Sequence, residues 1–317
     1  MTTEKTTLLA GVAGFIGVHL AEALLKRGER VIGVDNVLTG SRENIERLKR
    51  NPNFVFLEHD IAEPLNLPGE ELQFIYNLAC PASPTDLGRL QMQILRVCCF
   101  GSYNLLELAR KKGARYVFAS TSEVYGNPLE HPQRETYHGN VNITGTRAVY
   151  DEGKRFGETM LAVFRREYGI ETRTVRIFNT YGEYMRHDDG RAIPTFITQA
   201  LRNEDMTIFG DGSQTRSIQY VSDLVRGILL LAYSDVRLPV NIGNPHEITM
   251  LELAALIKRL AGSTSRIIQT QPLPEDDPLV RRPDISRAKH LLNWEPIVTP
   301  EDGLKRAIEW FRSKLFI

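Results

Sequence analysis

The stretch Leu8-Leu-Ala-Gly11-Val-Ala-Gly14-Phe-Ile-Gly17-Val-His-Leu-Ala-Glu-Ala-Leu-Leu25 decides the fold. Three apolar residues run into a glycine, two more glycines follow at three-residue intervals, and from Phe15 apolar residues recur at helical spacing. Glycines at such a strand-to-helix turn permit the tight bend, let backbone approach a pyrophosphate and let helix pack on strand. The helix N-terminus then offers free N–H groups and the positive end of a dipole to phosphates. The spacing is G-x-x-G-x-x-G, and a glycine triplet alone also fits a plain structural turn. Here a second apolar run, Val31 to Val34, ends in Asp35, some 18 residues past Gly17. A carboxylate there accepts hydrogen bonds from ribose hydroxyls and repels a 2′-phosphate, which points to NAD and not NADP.

Further short apolar runs follow at Phe54 to Leu57, Phe74 to Ala79 and Tyr116 to Ala119, with helical patterns at Leu90 to Lys111 and Arg147 to Tyr168. Short apolar strands alternating with amphipathic helices predict an α/β fold, a doubly wound (Rossmann-like) parallel sheet covered on both faces. After Phe178 the texture turns polar and aromatic, and Gly210-Asp-Gly212 marks a turn. Helices are expected at Leu224 to Tyr233, Met250 to Ala261 and Pro300 to Lys314, the last two separated by a Pro- and acid-rich connection, Pro272 to Pro283. The expected layout is a cofactor-binding domain of residues 1–178 with 217–242, and a smaller C-terminal substrate lobe of 179–216 with 243–317.

Lys plus Arg and Asp plus Glu balance at 39 each, so no bulk charge attracts nucleic acid or acidic membranes. The longest apolar run, around Ile228 to Tyr233, falls far short of the roughly 18 residues of a membrane helix. The polar opening Met1 to Thr7 is not expected to be a signal peptide. Cys80, Cys98 and Cys99 are too few for a disulfide framework or a four-ligand zinc site, and they fit a reducing, cytoplasmic setting. His187-Asp-Asp189 reads as a solvated loop cluster, so no metal is expected.

Tyr150 and Lys154 form Y-x-x-x-K one helical turn apart, so both project from one face. An ammonium near a phenol favours the phenolate, and the spacing predicts a lowered Tyr150 pKa and a base usable near neutral pH. The fifth apolar run ends in Ser120-Thr-Ser-Glu-Val-Tyr-Gly126, at the sheet edge where open α/β folds bind ligands. A hydroxyl there can share the proton of a substrate alcohol with Tyr150. Y-x-x-x-K is common by chance, and its weight comes from this position.

With these residues in place, Leu8 to Lys154 resembles the extended short-chain dehydrogenases/reductases, with Tyr150, Lys154 and Thr121 at that superfamily's Tyr, Lys and Ser/Thr positions. Within it the chain resembles the UDP-glucuronate decarboxylases, or UDP-xylose synthases. The matching stretches are Asn77-Leu-Ala-Cys-Pro-Ala-Ser-Pro84, Ser120 to Gly126, Tyr150-Asp-Glu-Gly-Lys154, Arg176-Ile-Phe-Asn-Thr-Tyr-Gly182, Gly210-Asp-Gly-Ser-Gln-Thr-Arg216, Tyr220-Val-Ser-Asp223 and Arg281-Arg-Pro-Asp-Ile285. The resemblance implies NAD-dependent decarboxylation of UDP-glucuronate to UDP-xylose: oxidation at C4, loss of carbon dioxide from the 4-keto intermediate, and re-reduction; release of some UDP-4-keto-pentose as well stays open. It implies catalytic roles for Thr121, Glu123, Tyr150, Lys154 and Arg281. NAD would be held by Gly11, Gly14, Phe15, Ile16, Gly17, Asp35, Asn36, Thr39, Gly40, Asp60, Ile61, Ala79, Ser120, Thr180 and Arg191, together with Tyr150 and Lys154. The UDP-sugar would be held by Pro84, Arg96, Asn104, Ser122, Asn179, Arg191, Gln214, Arg216 and Arg281. A homodimer paired through the helices Leu90 to Lys111 and Arg147 to Tyr168 is implied as well.

The chain departs from the family pattern between Thr85 and Cys98, where Arg96 stands at a lysine and Val97 and Cys98 stand at Thr and Asn. Asn142-Ile-Thr-Gly145 replaces N-P-I-G. Both segments are expected to border the sugar and nicotinamide pockets. Plainer readings stay open for several residues: Asp60 as a helix cap, Glu123 as a buried structural acid, Asn179 as a turn residue, Arg281 as a solvated charge, Arg216 as a partner of Asp223. Three other functions stay open too. A sugar-nucleotide 4,6-dehydratase requires a proton-donating Asp where Ser122 stands. A 4-epimerase needs no acidic Glu123. A non-catalytic NAD-binding protein needs none of Thr121, Tyr150 and Lys154.

Overall fold

The computed structural model describes residues 5–272 and 280–315, so the connection from Pro272 to Pro283 lies in part outside the described residues. Seven strands form one sheet, every neighbour paired in parallel. Their spatial order is Val240–Ile242, β6 (Thr172–Ile177), β5 (Arg115–Thr121), β4 (Phe74–Asn77), β1 (Thr6–Ala10), β2 (Arg30–Asp35) and β3 (Phe54–Glu58). The winding reverses between β1 and β4, and a crevice opens at the C-terminal ends of these two strands. The expected doubly wound architecture is the one observed. Two strands go beyond the five apolar runs: β6 reads Thr-Arg-Thr-Val-Arg-Ile, with no continuous apolar stretch, and Val240–Ile242 is only three residues long.

Both faces of the sheet are buried because successive side chains point to opposite sides. Leu9 and Val31 pack into one core with Leu20 and Leu24 of α1 (Phe15–Lys26) and with Leu224 and Ile228 of the helix Val221–Tyr233. Leu8, Ala10, Ile32 and Val34 pack into another with Leu105 of the helix Ser102–Lys112 and Leu161 of the helix Ala148–Tyr168. The helix expected from Leu90 to Lys111 is broken: Gln91–Arg96 is followed by a π-helical turn, Val97–Gly101, before Ser102–Lys112. Val97, Cys98 and Cys99 are weak helix formers, and the wide turn re-aims every side chain on either side of it.

Beyond residue 179 the chain adds three two-stranded pairings and, besides the sheet-covering helix Val221–Tyr233, the helices Ala192–Leu201, Met250–Ala261, Ser286–Leu292 and Pro300–Leu315. Among the described residues this part of the chain has no separate core. Phe196, Leu253, Trp294 and Phe311 belong to the cluster that contains Leu9 and Val18. Asp223, 1% exposed, pins the join. Its Oδ2 accepts the backbone N–H groups of Ile297 (3.0 Å) and Val298 (2.9 Å), its Oδ1 faces Arg226 (3.3 Å), and its carbonyl accepts the Trp294 indole N–H (3.0 Å). Asp223→Ala leaves two backbone donors without their acceptor. Urea unfolding should show a loss of roughly 2–4 kcal/mol, while Asp223→Asn, which keeps one acceptor oxygen, should lose less. Equal stability in all three proteins would remove Asp223 from this role.

Candidate active site

The cofactor cleft lies where β1, β2 and β4 end. The N–H of Gly11 donates to the Val34 carbonyl (2.8 Å), and its φ of 83° turns the chain toward α1. A Cβ on Gly11 would stand 2.7 Å from the backbone nitrogen of Ala79, and one on Gly17 would stand 2.0 Å from the Gly11 carbonyl oxygen. No side chain fits at either position. The first turn of α1 carries no acidic residue, so an anionic pyrophosphate at its N-terminus meets no like charge. Asp35 Oδ2 accepts the Ala13 N–H (3.0 Å) and Oδ1 the Val37 N–H (2.8 Å), which fixes the carboxylate and leaves lone pairs for ribose hydroxyls. Burial raises its pKa against those two hydrogen bonds. Asn36, Thr39, Gly40, Asp60, Ile61 and Ala79 join Gly11, Gly14 and Asp35 in lining the cleft, while Phe15, Ile16 and Gly17 open α1 behind it. Asp60 also closes a turn, its Oδ1 accepting the Ala62 N–H (2.9 Å). This glycine cradle and anchored carboxylate fit NAD.

At the end of β5, Thr121 Oγ1 accepts the Glu123 N–H (3.2 Å), and the phenol of buried Tyr150 lies near its hydroxyl. Lys154 Nζ donates to the Ala119 carbonyl (2.9 Å) and stands 5.8 Å from the centre of the Tyr150 ring. The expected lowering of the Tyr150 pKa is not observed. Burial first, and then the neighbouring Cys80 sulfur, raise it, against the Thr121 hydroxyl and the Arg191 guanidinium. A desolvated phenolate costs more than an ammonium already bonded to a carbonyl returns.

Glu123 is the electrostatic centre. Its Oε2 accepts from Arg147 Nη2 (2.7 Å) and Arg281 Nη2 (3.4 Å), and its Oε1 from Arg281 Nη1 (3.2 Å). Burial pushes the carboxyl up, but Arg281, Arg147 and Arg216 outweigh it and hold the group at about 2. Arg281 is no solvated charge: it is 1% exposed, donates to the carbonyls of Ser122 and Gly126 (2.9 Å to the latter), and buries an Nε with no acceptor among the described residues. Beneath the site runs a polar chain. The Ser120 hydroxyl donates to Glu158 (2.6 Å), Glu158 pairs with Arg176 (2.7 Å), and Arg176 donates to the Tyr125 hydroxyl (2.9 Å). Tyr125 donates to Asn241 (2.7 Å), and the Asn241 amide holds the carbonyls of Gln133 (3.0 Å) and Asp284 (3.1 Å), beside Arg281.

Other expected residues fall around this centre. Arg191 donates to the Ala82 carbonyl (2.6 Å) and pairs with Asp189 (3.1 Å). The Asn179 carbonyl accepts the Gln219 N–H (2.9 Å), and the Thr180 hydroxyl donates to the Phe178 carbonyl (2.8 Å). Gln214 Nε2 donates to the Phe209 carbonyl (2.9 Å), while its Oε1 is buried without a donor. Pro84 opens the short helix Pro84–Leu87 and is exposed. Two expected sugar contacts lie on the cofactor side instead: Arg96 lines the cleft and pairs with Glu63 (2.8 Å), and Asn104 donates to the Ile61 carbonyl (3.0 Å). They flank the π-helical turn, which changes their direction. Asp188 and Asp189 are ion-paired with Arg186 (3.0 Å) and Arg191 (3.1 Å). Sequence reasoning missed Arg147 and Asp151. Arg147 lies three residues before Tyr150, a spacing that shares a helix face and could have revealed it.

A profile of the NAD dependent epimerase/dehydratase family matches residues 7–243. UDP-glucuronic acid decarboxylase 1 of Danio rerio is 49% identical over 312 residues, covering 98% of this chain and 74% of the relative. UDP-glucuronic acid decarboxylase 1 of Arabidopsis thaliana is 48% identical over 308 residues, covering 97% of this chain and 70% of the relative. Among solved structures, UDP-glucose 4-epimerase from Thermotoga maritima with UDP-glucose is similar with a TM-score of 0.88 at 31% identity, covering 98% of this chain and 99% of that one. UDP-glucuronic acid 4-epimerase from Bacillus cereus, in complex with UDP-glucuronic acid and NAD, is similar with a TM-score of 0.87 at 27% identity over the same shares.

Asp151, 5% exposed with an unpartnered buried Oδ1, is raised to about 7 by burial and then by Glu123. The folded chain therefore keeps this proton where the unfolded chain, ionising near pH 4, has lost it. Stability falls as pH rises through that window. Asp151→Asn removes the term, so its stability relative to the parent should grow from about pH 5 to about pH 8 by on the order of 2–4 kcal/mol in urea titrations. A difference independent of pH would show that Asp151 ionises freely when folded.

Proposed function

The chain belongs to the NAD dependent epimerase/dehydratase family, and within it we propose that it is a carboxy-lyase that converts UDP-glucuronate to UDP-xylose with recycled NAD. What carries this activity is near-full-length identity of about half to UDP-glucuronic acid decarboxylases, joined to one site that holds Thr121, Glu123, Tyr150 and Arg281 together. A glycosyl carboxylate holds its carbon dioxide until C4 becomes a ketone, which makes the acid a β-keto acid. Bound NAD would supply the hydride acceptor for C4 oxidation and the donor for the final re-reduction. Tyr150 takes the C4 hydroxyl proton with Thr121 holding the oxygen, and both then donate hydrogen bonds to the enolate left by decarboxylation. Arg281, with its unpartnered Nε, is the cation for the sugar carboxylate or the phosphates. Ionised Glu123 keeps Arg147 and Arg281 in place beside C5. Asn179, Gln214 and Arg216 hold the UDP moiety.

NAD is assigned to residues 1–178 with 217–242, and the nucleotide sugar to 179–216 with 243–317. A homodimer through the two long helical segments is supported by their outward apolar residues, Met92, Leu95, Phe100, Tyr103 and Phe156, all exposed in the single chain. Free thiols at Cys80, Cys98 and Cys99 support a cytoplasmic setting. No described helix is long and apolar enough to cross a membrane.

A 4-epimerase is the second activity to test, since epimerases are among the similar solved structures. Incubation with UDP-glucuronate, followed by NMR of the nucleotide sugars and capture of carbon dioxide, separates the two: UDP-xylose with stoichiometric gas is expected, and UDP-galacturonate without gas would overturn decarboxylation. Tyr150→Phe should lower turnover on the order of 10² to 10⁴ while calorimetric UDP binding persists. Near-parental turnover would mean that another group takes the C4 proton.

A further inference from the structure

Cys80 and Cys98 reach one point from separate segments. Cys80 follows β4 on the lip of the cofactor cleft, and Cys98 sits 4% exposed on the π-helical turn. Both are free thiols, and their Sγ atoms are 3.6 Å apart. The pair is held in place: Cys98 packs on Gly153 of the catalytic helix, where even an added Cβ would stand 3.0 Å from its Sγ, and both cysteines share a small apolar cluster with Tyr150. A disulfide needs about 2.05 Å between sulfurs, so closure requires a shift of roughly 1.5 Å.

We propose that Cys80 and Cys98 are a reversible oxidation site, a peroxide-formed disulfide that closes against Tyr150 and the cofactor cleft and stops turnover. The hydrogen bond between the two sulfurs (3.6 Å), in which either can donate, and the Lys154 ammonium favour a thiolate in the pair against burial. That thiolate attacks one oxygen of hydrogen peroxide, the O–O bond breaks and hydroxide leaves, giving a sulfenic acid. The partner sulfur then displaces the sulfenic hydroxyl, and its proton leaves with that oxygen as water. The two thiols lose two electrons and two protons, and the peroxide becomes two waters.

Cys80 is coupled to both halves of the site. Ala79, its neighbour, has a backbone nitrogen so near Gly11 that a Cβ there would clash at 2.7 Å, so a drawn-in Cys80 disturbs the glycine turn. Its sulfur also bears on the Tyr150 phenol. Since Cys80 lines the cleft, bound NAD covers the entry route and slows the oxidation.

The test treats the full chain with hydrogen peroxide, with and without added NAD, and maps linked peptides by mass spectrometry without reductant. A Cys80–Cys98 cross-link, loss of two of the three free thiols, and recovery with dithiothreitol are expected, more slowly with NAD. Turnover of the treated protein should fall at least tenfold and return on reduction; this part alone rests on the decarboxylase activity, whereas the peptide map does not. Cys98→Ser and Cys98→Ala, each compared with its own untreated rate, should form no cross-link and keep their turnover, and Cys99→Ser should respond as the parent does. Three results overturn the proposal: both thiols surviving peroxide, oxidation stopping at a single-cysteine acid, or a cross-linked protein that turns over at the reduced rate.

Discussion

The buried carboxylate of Glu123 is the constraint around which the site is built. It stands just past the end of β5, Arg147 at the start of the helix Ala148–Tyr168, and Arg281 near the C-terminal end of the chain, more than 130 residues from either. Desolvating one carboxylate is tolerable only with the cations present. Removing one partner from such a cluster typically costs about 3–5 kcal/mol, because the remaining charge stays buried. Three segments remote in sequence are thereby obliged to meet, and the floor of the site is complete only when the lobe has folded back. The polar chain from Ser120 through Glu158, Arg176, Tyr125 and Asn241 repeats the connection one layer below.

This explains which features were legible in the sequence. The glycine turn and Asp35 could be read because their chemistry is local: a strand, a bend and a helix lie within a few dozen residues. The helices Met250–Ala261 and Pro300–Leu315 announced themselves by apolar period, and the structure adds a Thr249/Glu252 capping box at the start of the first. β6 was hidden because Arg173 and Arg176 interrupt its apolar pattern, and these arginines are buried through partners that only the fold supplies: the Ser234 carbonyl for Arg173, Glu158 for Arg176. Arg96 was misplaced for a related reason. Side-chain direction along a helix follows from spacing only while the helix stays regular, and the π-helical turn at Val97–Gly101 breaks that regularity.

Tyr150 shows the same limit in electrostatics. Spacing places Lys154 on its face of the helix, but which effect prevails depends on magnitudes that spacing does not contain. Burial acts on the whole phenolate, whereas the ammonium is 5.8 Å from the ring centre and already donates to a carbonyl. The protonation state on which chemistry depends is thus set by what fills the cleft as much as by the Y-x-x-x-K pair.

The unbroken cluster that joins Leu9 and Val18 of the sheet unit to Trp294 and Phe311 of the lobe bears on how such a chain can change over generations. Two units with separate cores can be recombined like cassettes, each bringing its own ligand. Here a lobe from another lineage would arrive with half a hydrophobic interior and no matching half to receive it. Change is therefore easier in segments that contribute nothing to that shared cluster, such as 85–98 and 142–145, where drift in sequence leaves the interior intact.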